Sequence, residues 1–296
     1  MRTLFSGSGV ALVTPFSGER VDEAVLRELV RFHLREGSDA LVVNGSTGEA
    51  PTLAPDEQAG AIRAVAEEAG GRVPVIAGVG GSDTAAVVRL ARSAREAGAG
   101  ALLLSPPPYN KPSQAGILAH FRAVLDAVEL PLIVYNVPER TACNVLPETM
   151  EALADDPRVV GVKEASGDIS QIAELARRLA DRLAIYSGND DQIVPVLALG
   201  GRGVVSVLAN VAPAATSRMV HAFLDGRIDE ARRLQLEYLP LIHALFREPS
   251  PVPAKAALRA MGFAVGPPRL PLVGLAPDTL EILLAALRER GAPLAG

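Results

Sequence analysis

An α/β fold is predicted for this 296-residue chain, and within that class a (β/α)8 TIM barrel with a C-terminal helical extension. Three observations carry the prediction. Eight short runs rich in Val, Ile, Leu and Ala lack strict polar alternation, as expected of strands buried on both faces of a parallel sheet. Amphipathic stretches of helical period separate most of these runs. The units recur at roughly 20–35 residues, which suits a barrel of the usual length of about 250 residues.

The runs follow in order. Gly9–Phe16 comes first, then an amphipathic stretch, Val21–Glu36, with apolar Val25, Leu26, Leu29 and Val30, ending before Gly37. Ala40–Asn44 leads to a second helix, with Asp56 placed as its N-cap and Gly70 as its stop. Pro74–Gly80 leads to Thr84–Ala97, with Ser82 as N-cap and Gly98 as stop. Gly100–Ser105, Pro131–Val137 and Val159–Glu164 are the next three runs, the last followed by the helical Ile169–Leu179. Leu183–Ser187 and Gly203–Ala209 complete the eight. Beyond them lie helical stretches and no further strand. Residues 1–211 are therefore read as the barrel core and 212–296 as helices that complete and extend it. A doubly wound open sheet remains the other reading, because alternation alone does not distinguish a closed sheet from an open one.

Composition excludes several classes. A net charge of −5 and a pI near 5.5 lack the basic footprint of a nucleic-acid binder. One cysteine, Cys143, excludes a disulfide framework and a multi-thiolate metal site, and fits a reducing compartment. Met1–Gly9 has no long apolar region, so no signal peptide is expected. Apolar runs break well before about 18 residues, which excludes a membrane-spanning helix. A cytoplasmic protein is expected. His33, His120, His221 and His243 fall in predicted helices and are read as structural or surface residues; Cys143 is read as a packed or loop thiol.

In a parallel barrel the functional end is where the strands terminate. Polar residues collect there: Thr14, Asn44 with Gly45-Ser46-Thr47-Gly48-Glu49, Ser105 through Lys111 with Tyr109, Tyr135-Asn136 with Arg140, Lys163-Glu164, Ser187 through Asp190, and Ser206 and Asn210. The 29 basic residues comprise 26 arginines and only three lysines. Lys111 lies in a Pro-rich loop and Lys255 in the helical tail, and both read as surface or interface lysines. Lys163 follows Val159-Val160-Gly161-Val162 and starts at the mouth of an apolar barrel. Desolvation there disfavours an ammonium, and a neutral lysine amine is the nucleophile for imine chemistry on a ketone. The same position also suits a lysine paired with Glu164 or with solvent. Tyr109 and Tyr135 pass protons if hydrogen bonds link them to Ser46 or Thr47, or else simply pack their rings. Arg140 suits a bidentate clamp on a carboxylate. The Gly45–Glu49 turn lacks the lysine and spacing of a phosphate loop, but offers hydroxyls and backbone N–H groups to a small carboxylate.

Three of these segments carry a resemblance. Gly45-Ser46-Thr47-Gly48-Glu49, Tyr135-Asn136-Val137-Pro138-Glu139-Arg140-Thr141 and Gly161-Val162-Lys163-Glu164-Ala165 resemble signatures of the dihydrodipicolinate synthase/N-acetylneuraminate lyase family of pyruvate-handling class I aldolases. The resemblance runs from Gly9 through Glu248-Pro249-Ser250-Pro251-Val252-Pro253. It implies the barrel with its helical extension. It implies that Lys163 forms the imine with pyruvate and that Tyr135 donates and accepts protons. Ser46 and Tyr109 are implied as the other members of a hydroxyl relay, Tyr109 crossing a subunit interface. Thr47 is implied to bind the pyruvate carboxylate, with backbone contacts at Gly188 and Val205. No metal or organic cofactor is implied.

Within the family, Arg140 matches the arginine by which synthases hold L-aspartate 4-semialdehyde, the second substrate on the diaminopimelate route to lysine. Ser46 stands where synthases often carry threonine and sialic-acid lyases carry serine. A sugar-acid aldolase or lyase, of the N-acetylneuraminate or 2-keto-3-deoxygluconate type, is the rival enzyme. A non-catalytic pyruvate sensor is the rival from another class. Lysine-inhibited members place histidine, glutamate and tyrosine where this chain has Pro55, Ala86 and Pro108, so insensitivity to lysine is expected. The resemblance implies a homotetramer built as a dimer of dimers, or a homodimer.

Overall fold

The computed structural model describes residues 1–295. Eight parallel strands close into a barrel: β1 Gly7–Ala11, β2 Ala40–Val43, β3 Val75–Val79, β4 Ala101–Leu104, β5 Leu132–Asn136, β6 Val159–Glu164, β7 Ala184–Ser187 and β8 Gly203–Ser206. Closure is decided at Gly9, which stands opposite Val205 of β8 on one side and Ala40 of β2 on the other. The open-sheet alternative is thereby excluded. The first run is shifted: β1 begins at Gly7 and ends before Pro15, which has no N–H for a ladder. Phe16–Ser17 instead pairs with Arg20–Val21 in a small antiparallel ribbon.

Alternation along the strands builds two apolar layers. Ala40, Val42, Ile76, Leu103, Ile133 and Val205 fill the barrel interior, while Leu41, Val43, Ala77, Leu104, Val134 and Val162 pack beneath the helices. Tyr186 fills the floor. Its ring stacks on Phe5 at 4.4 Å, and its hydroxyl donates to the Phe5 carbonyl at 2.7 Å.

The barrel helices are α1 Glu23–Arg35, α2 Pro55–Ala69, α3 Thr84–Glu96, α4 Gln114–Ala127, α5 Pro147–Leu153, α6 Ile169–Leu179, α7 Ile193–Ala198 and α8 Pro213–Leu224. Two expected caps are corrected. Pro55 takes the first position of α2, so the cap is Ala54, whose N–H donates to Glu57; Asp56 lies in the first turn. Asp83 caps α3, accepting from Ala85 and Ala86, whereas Ser82 donates to the Pro108 carbonyl. The stops at Gly37, Gly70 and Gly98 all have positive φ.

Three further helices, α9 Ile228–Leu245, α10 Val252–Ala260 and α11 Pro277–Glu289, share an apolar cluster with Val13, Leu208 and Val211, just past the ends of β1 and β8. The extension therefore sits against the functional end of the barrel. It also corrects the reading of Lys255 as a surface lysine: its side chain is fully buried and pairs with Glu49 at 2.7 Å. Among the described residues no helix is long and apolar enough to cross a membrane.

Candidate active site

The register of β5 against β6 sets Tyr135 beside Lys163, and adjacent in-register residues point to the same face. Lys163 Nζ lies 4.2 Å from the centre of the Tyr135 ring, and the lysine is only 6% exposed. Glu164, the next residue, faces the opposite side. Its carboxylate accepts from Asn136 Nδ2 at 3.0 Å and from the Ser166 N–H at 2.8 Å. Burial pushes the Glu164 carboxyl up, and these donors pull it partly back. The pairing of Lys163 with Glu164 is thus excluded, and no ion-pair partner of Lys163 is found among the described residues. Asp190 is wholly buried nearby, two backbone N–H groups holding one of its oxygens; burial raises its carboxyl, against a downward pull from several donors and the Lys163 charge.

The Gly45–Glu49 loop is drawn onto β3 by a close backbone approach. Asn44 adopts a left-handed conformation at φ 56°, and its carbonyl lies where a Cβ on Gly78 of β3 would sit. Only glycine fits there. The loop brings Ser46 onto the wall of a cavity of about 660 Å³, together with Tyr135 and Arg140. Thr47 is buried beside it. Arg140 projects from a single turn, Pro138–Thr141, immediately after β5, and is exposed to the cavity with Nη2 3.5 Å from the Ser250 carbonyl.

The other expected residues fall into place unequally. Val205 belongs to the same interior cluster as Tyr135. Gly188 N–H donates to the Glu164 carbonyl at 2.7 Å, and a Cβ there would come within 2.6 Å of Ala165 Cβ, so the absent side chain admits the β7 end to the top of β6. Tyr109 is not brought to this cavity. It is 89% exposed at φ 69°, in a loop tied down by Asn110 Nδ2 donating to the Ser82 carbonyl. All four histidines lie in helices: His33 and His120 buried, His221 3.0 Å from Asp39, His243 exposed. Cys143 is buried, its Sγ 3.5 Å from the Pro107 carbonyl, and burial pushes the thiol up. Among the described residues no cluster suited to a metal ion is found.

Sequence reasoning missed Gly78, Ser250, Pro271 and Leu272 as contributors to the cavity. Gly78 was legible as a glycine inside an apolar run. Ser250 lines the wall with its buried hydroxyl unpartnered among the described residues; the expected Asn44 shares this feature at its Oδ1. Pro271 and Leu272, from a loop of the extension, cover one side; nothing local in that segment announced it.

A lysine amine held inside a barrel against a tyrosine, below a cavity with an arginine on its wall, is equipment for forming an imine with a keto acid. Residues 4–290 match the model of the dihydrodipicolinate synthetase family, and the chain belongs to that family. It is 53% identical over 290 residues to the 4-hydroxy-tetrahydrodipicolinate synthase of Caldicellulosiruptor bescii, covering 98% of each chain. Its fold is similar to that of the dihydrodipicolinate synthase of Thermotoga maritima, with a TM-score of 0.95, 40% identity, and 97% and 99% of the two chains covered. It is also similar to the chloride-inhibited enzyme of Acinetobacter baumannii complexed with pyruvate, with a TM-score of 0.94, 39% identity and the same coverage.

Proposed function

We propose that this chain is a lyase that condenses pyruvate with L-aspartate 4-semialdehyde to 4-hydroxy-tetrahydrodipicolinate, in lysine and diaminopimelate biosynthesis. The observation that carries the reading is the placement of Lys163 inside the barrel, against Tyr135 and without an acidic partner among the described residues. The unprotonated Lys163 amine attacks the pyruvate ketone. Tyr135, with Ser46, carries protons as the carbinolamine loses water to give the imine. Thr47 holds the pyruvate carboxylate, with the backbone at Gly188 and Val205 in contact near the same ligand.

The imine withdraws electrons, so a methyl proton leaves and an enamine forms. Its carbon attacks the aldehyde, whose oxygen takes up a proton, while Arg140 holds the distal carboxylate. The substrate amine then adds to the imine carbon and expels Lys163. The residues of the site perform each step without a cofactor. Residues 1–211 act as the barrel core, and the described part of 212–296 completes and braces it. The buried unpaired thiol of Cys143 supports a reducing, cytoplasmic setting. The exposed ring of Tyr109 supports its service to a second copy, in a homodimer or a tetramer of two dimers.

The test is a coupled assay with pyruvate and aspartate semialdehyde, against 2-keto-3-deoxy sugar acids as rival substrates. Turnover of the semialdehyde is expected, and Arg140→Ala should lower its kcat/KM about ten- to hundred-fold, the worth of a charge-assisted clamp. Added submillimolar lysine should leave the rate unchanged, because Pro55, Ala86 and Pro108 offer no charged or phenolic partner. Cleavage of a sugar acid in place of condensation would overturn the synthase reading.

A further inference from the structure

Glu49 ends the loop that carries Ser46 and Thr47, yet the reaction leaves it without a task. It is buried, 3% exposed, and its backbone is left-handed at φ 54°, a conformation that a non-glycine residue holds only when its surroundings impose it. Its two carboxylate oxygens are divided. Oε1 accepts from Lys255 Nζ at 2.7 Å, and Oε2 accepts from the Arg269 backbone N–H at 2.9 Å. Both donors belong to the C-terminal extension.

The clamp is built further. Lys255 Nζ also donates to the Pro267 carbonyl at 3.2 Å and stands 4.1 Å from the Phe16 ring, which Arg269 covers from 4.3 Å. Arg269 reaches back to the same loop region, donating to the Thr52 carbonyl at 2.8 Å and pairing with Glu57 at 2.6 Å. Two and three residues beyond Arg269, Pro271 and Leu272 form part of the cavity wall. One buried carboxylate thus ties the hydroxyl-bearing loop to the helix and the strap of the extension.

We propose that Lys255 and Glu49 are positioning residues for the pyruvate half of the reaction, setting the backbone that aims Ser46 and Thr47 at the Lys163 imine. The inference rests on the function proposed above. Burial opposes the charge on Lys255 and holds the amine below its ordinary range, and the adjacent carboxylate offsets part of that cost, so the two charges stand or fall together. A purely structural pair is replaceable by uncharged side chains once packing is restored; a positioning pair is not, because the orientation of the loop goes with the charges.

The experiment compares the wild-type chain with Glu49→Gln, Lys255→Met and the double variant. Thermal midpoint, steady-state constants for each substrate and the rate of borohydride trapping with pyruvate are measured. Adduct formation at Lys163 in the wild type establishes the chemistry first; its absence there condemns the functional reading and not the clamp. Given that adduct, the double variant should recover most of the thermal midpoint lost in Lys255→Met. Its kcat/KM for pyruvate and its trapping rate should still stay about ten- to hundred-fold below wild type, the size of a displacement near 1 Å. The KM for the semialdehyde should change less than the KM for pyruvate. Recovery of pyruvate kinetics together with the thermal midpoint overturns the proposal. So does failure of all three variants to fold, which would make the pair structural only.

Discussion

Lys163 and Lys255 are both buried lysines, and their surroundings separate their tasks. Lys255 is neutralised by Glu49 at 2.7 Å, which fixes it as an ion pair, whereas Lys163 faces the ring of Tyr135, itself on the cavity wall. Removing one partner of such a buried pair costs about 3–5 kcal/mol, so Lys255 is held by stability as well as by position. His33 gives the residue scale a pH signature. Desolvation holds its imidazole down to about 3, against an unfolded value near 6.5. The unfolded chain therefore takes a proton that the native state refuses. The stability this neutral histidine contributes is complete above pH 6.5 and is lost as pH falls toward 3, by up to about 1.4 kcal/mol per unit. Between pH 7 and pH 5 the urea midpoint of the wild type should fall further than that of His33→Gln. Equal falls would remove His33 from the account.

The elements show what a single sequence makes legible. Each of the eight apolar runs became a strand, because burial on both faces leaves a compositional trace that needs no partner to be read. The Ile169–Leu179 helix was legible to the residue for the same reason, its apolar spacing being local. The caps at Asp56 and Ser82 were misread by a residue or two, since proline at a first turn and a stronger neighbouring carboxylate decide between adjacent candidates. Lys255 was misread outright: its partner is 206 residues away, and no periodicity reports such a contact. Gly78 links the element to the site. Gly78→Ala forces Cβ into the Asn44 carbonyl, so it should lower the thermal midpoint and raise the KM for pyruvate, leaving Lys163 itself in place. Unchanged constants would show that the loop finds its position without that close approach.

Across the whole molecule, the barrel collects residues from the ends of β2, β3, β4 and β5 around one cavity and sets Lys163 of β6 against Tyr135, while the extension braces that end. Tyr109 is the member of the expected relay that one chain does not deliver to its own cavity. If the relay is completed by a second copy, mixing Lys163→Ala with Tyr109→Phe restores turnover. Each mixed pair then contains one site with an intact lysine and an intact neighbouring tyrosine. Activity in the mixture no greater than the sum of the two variants alone would confine Tyr109 to a local role.

The amine of Lys163 is the reacting group, and covalent capture reads it out. Borohydride reduction in the presence of pyruvate, followed by peptide mass mapping, should place one pyruvate-derived adduct on Lys163 and none on Lys111 or Lys255. Lys163→Arg should abolish it, because a guanidinium does not lose its proton to become a nucleophile. An adduct on another lysine, or none at all with a folded wild-type chain, would remove Lys163 as the nucleophile.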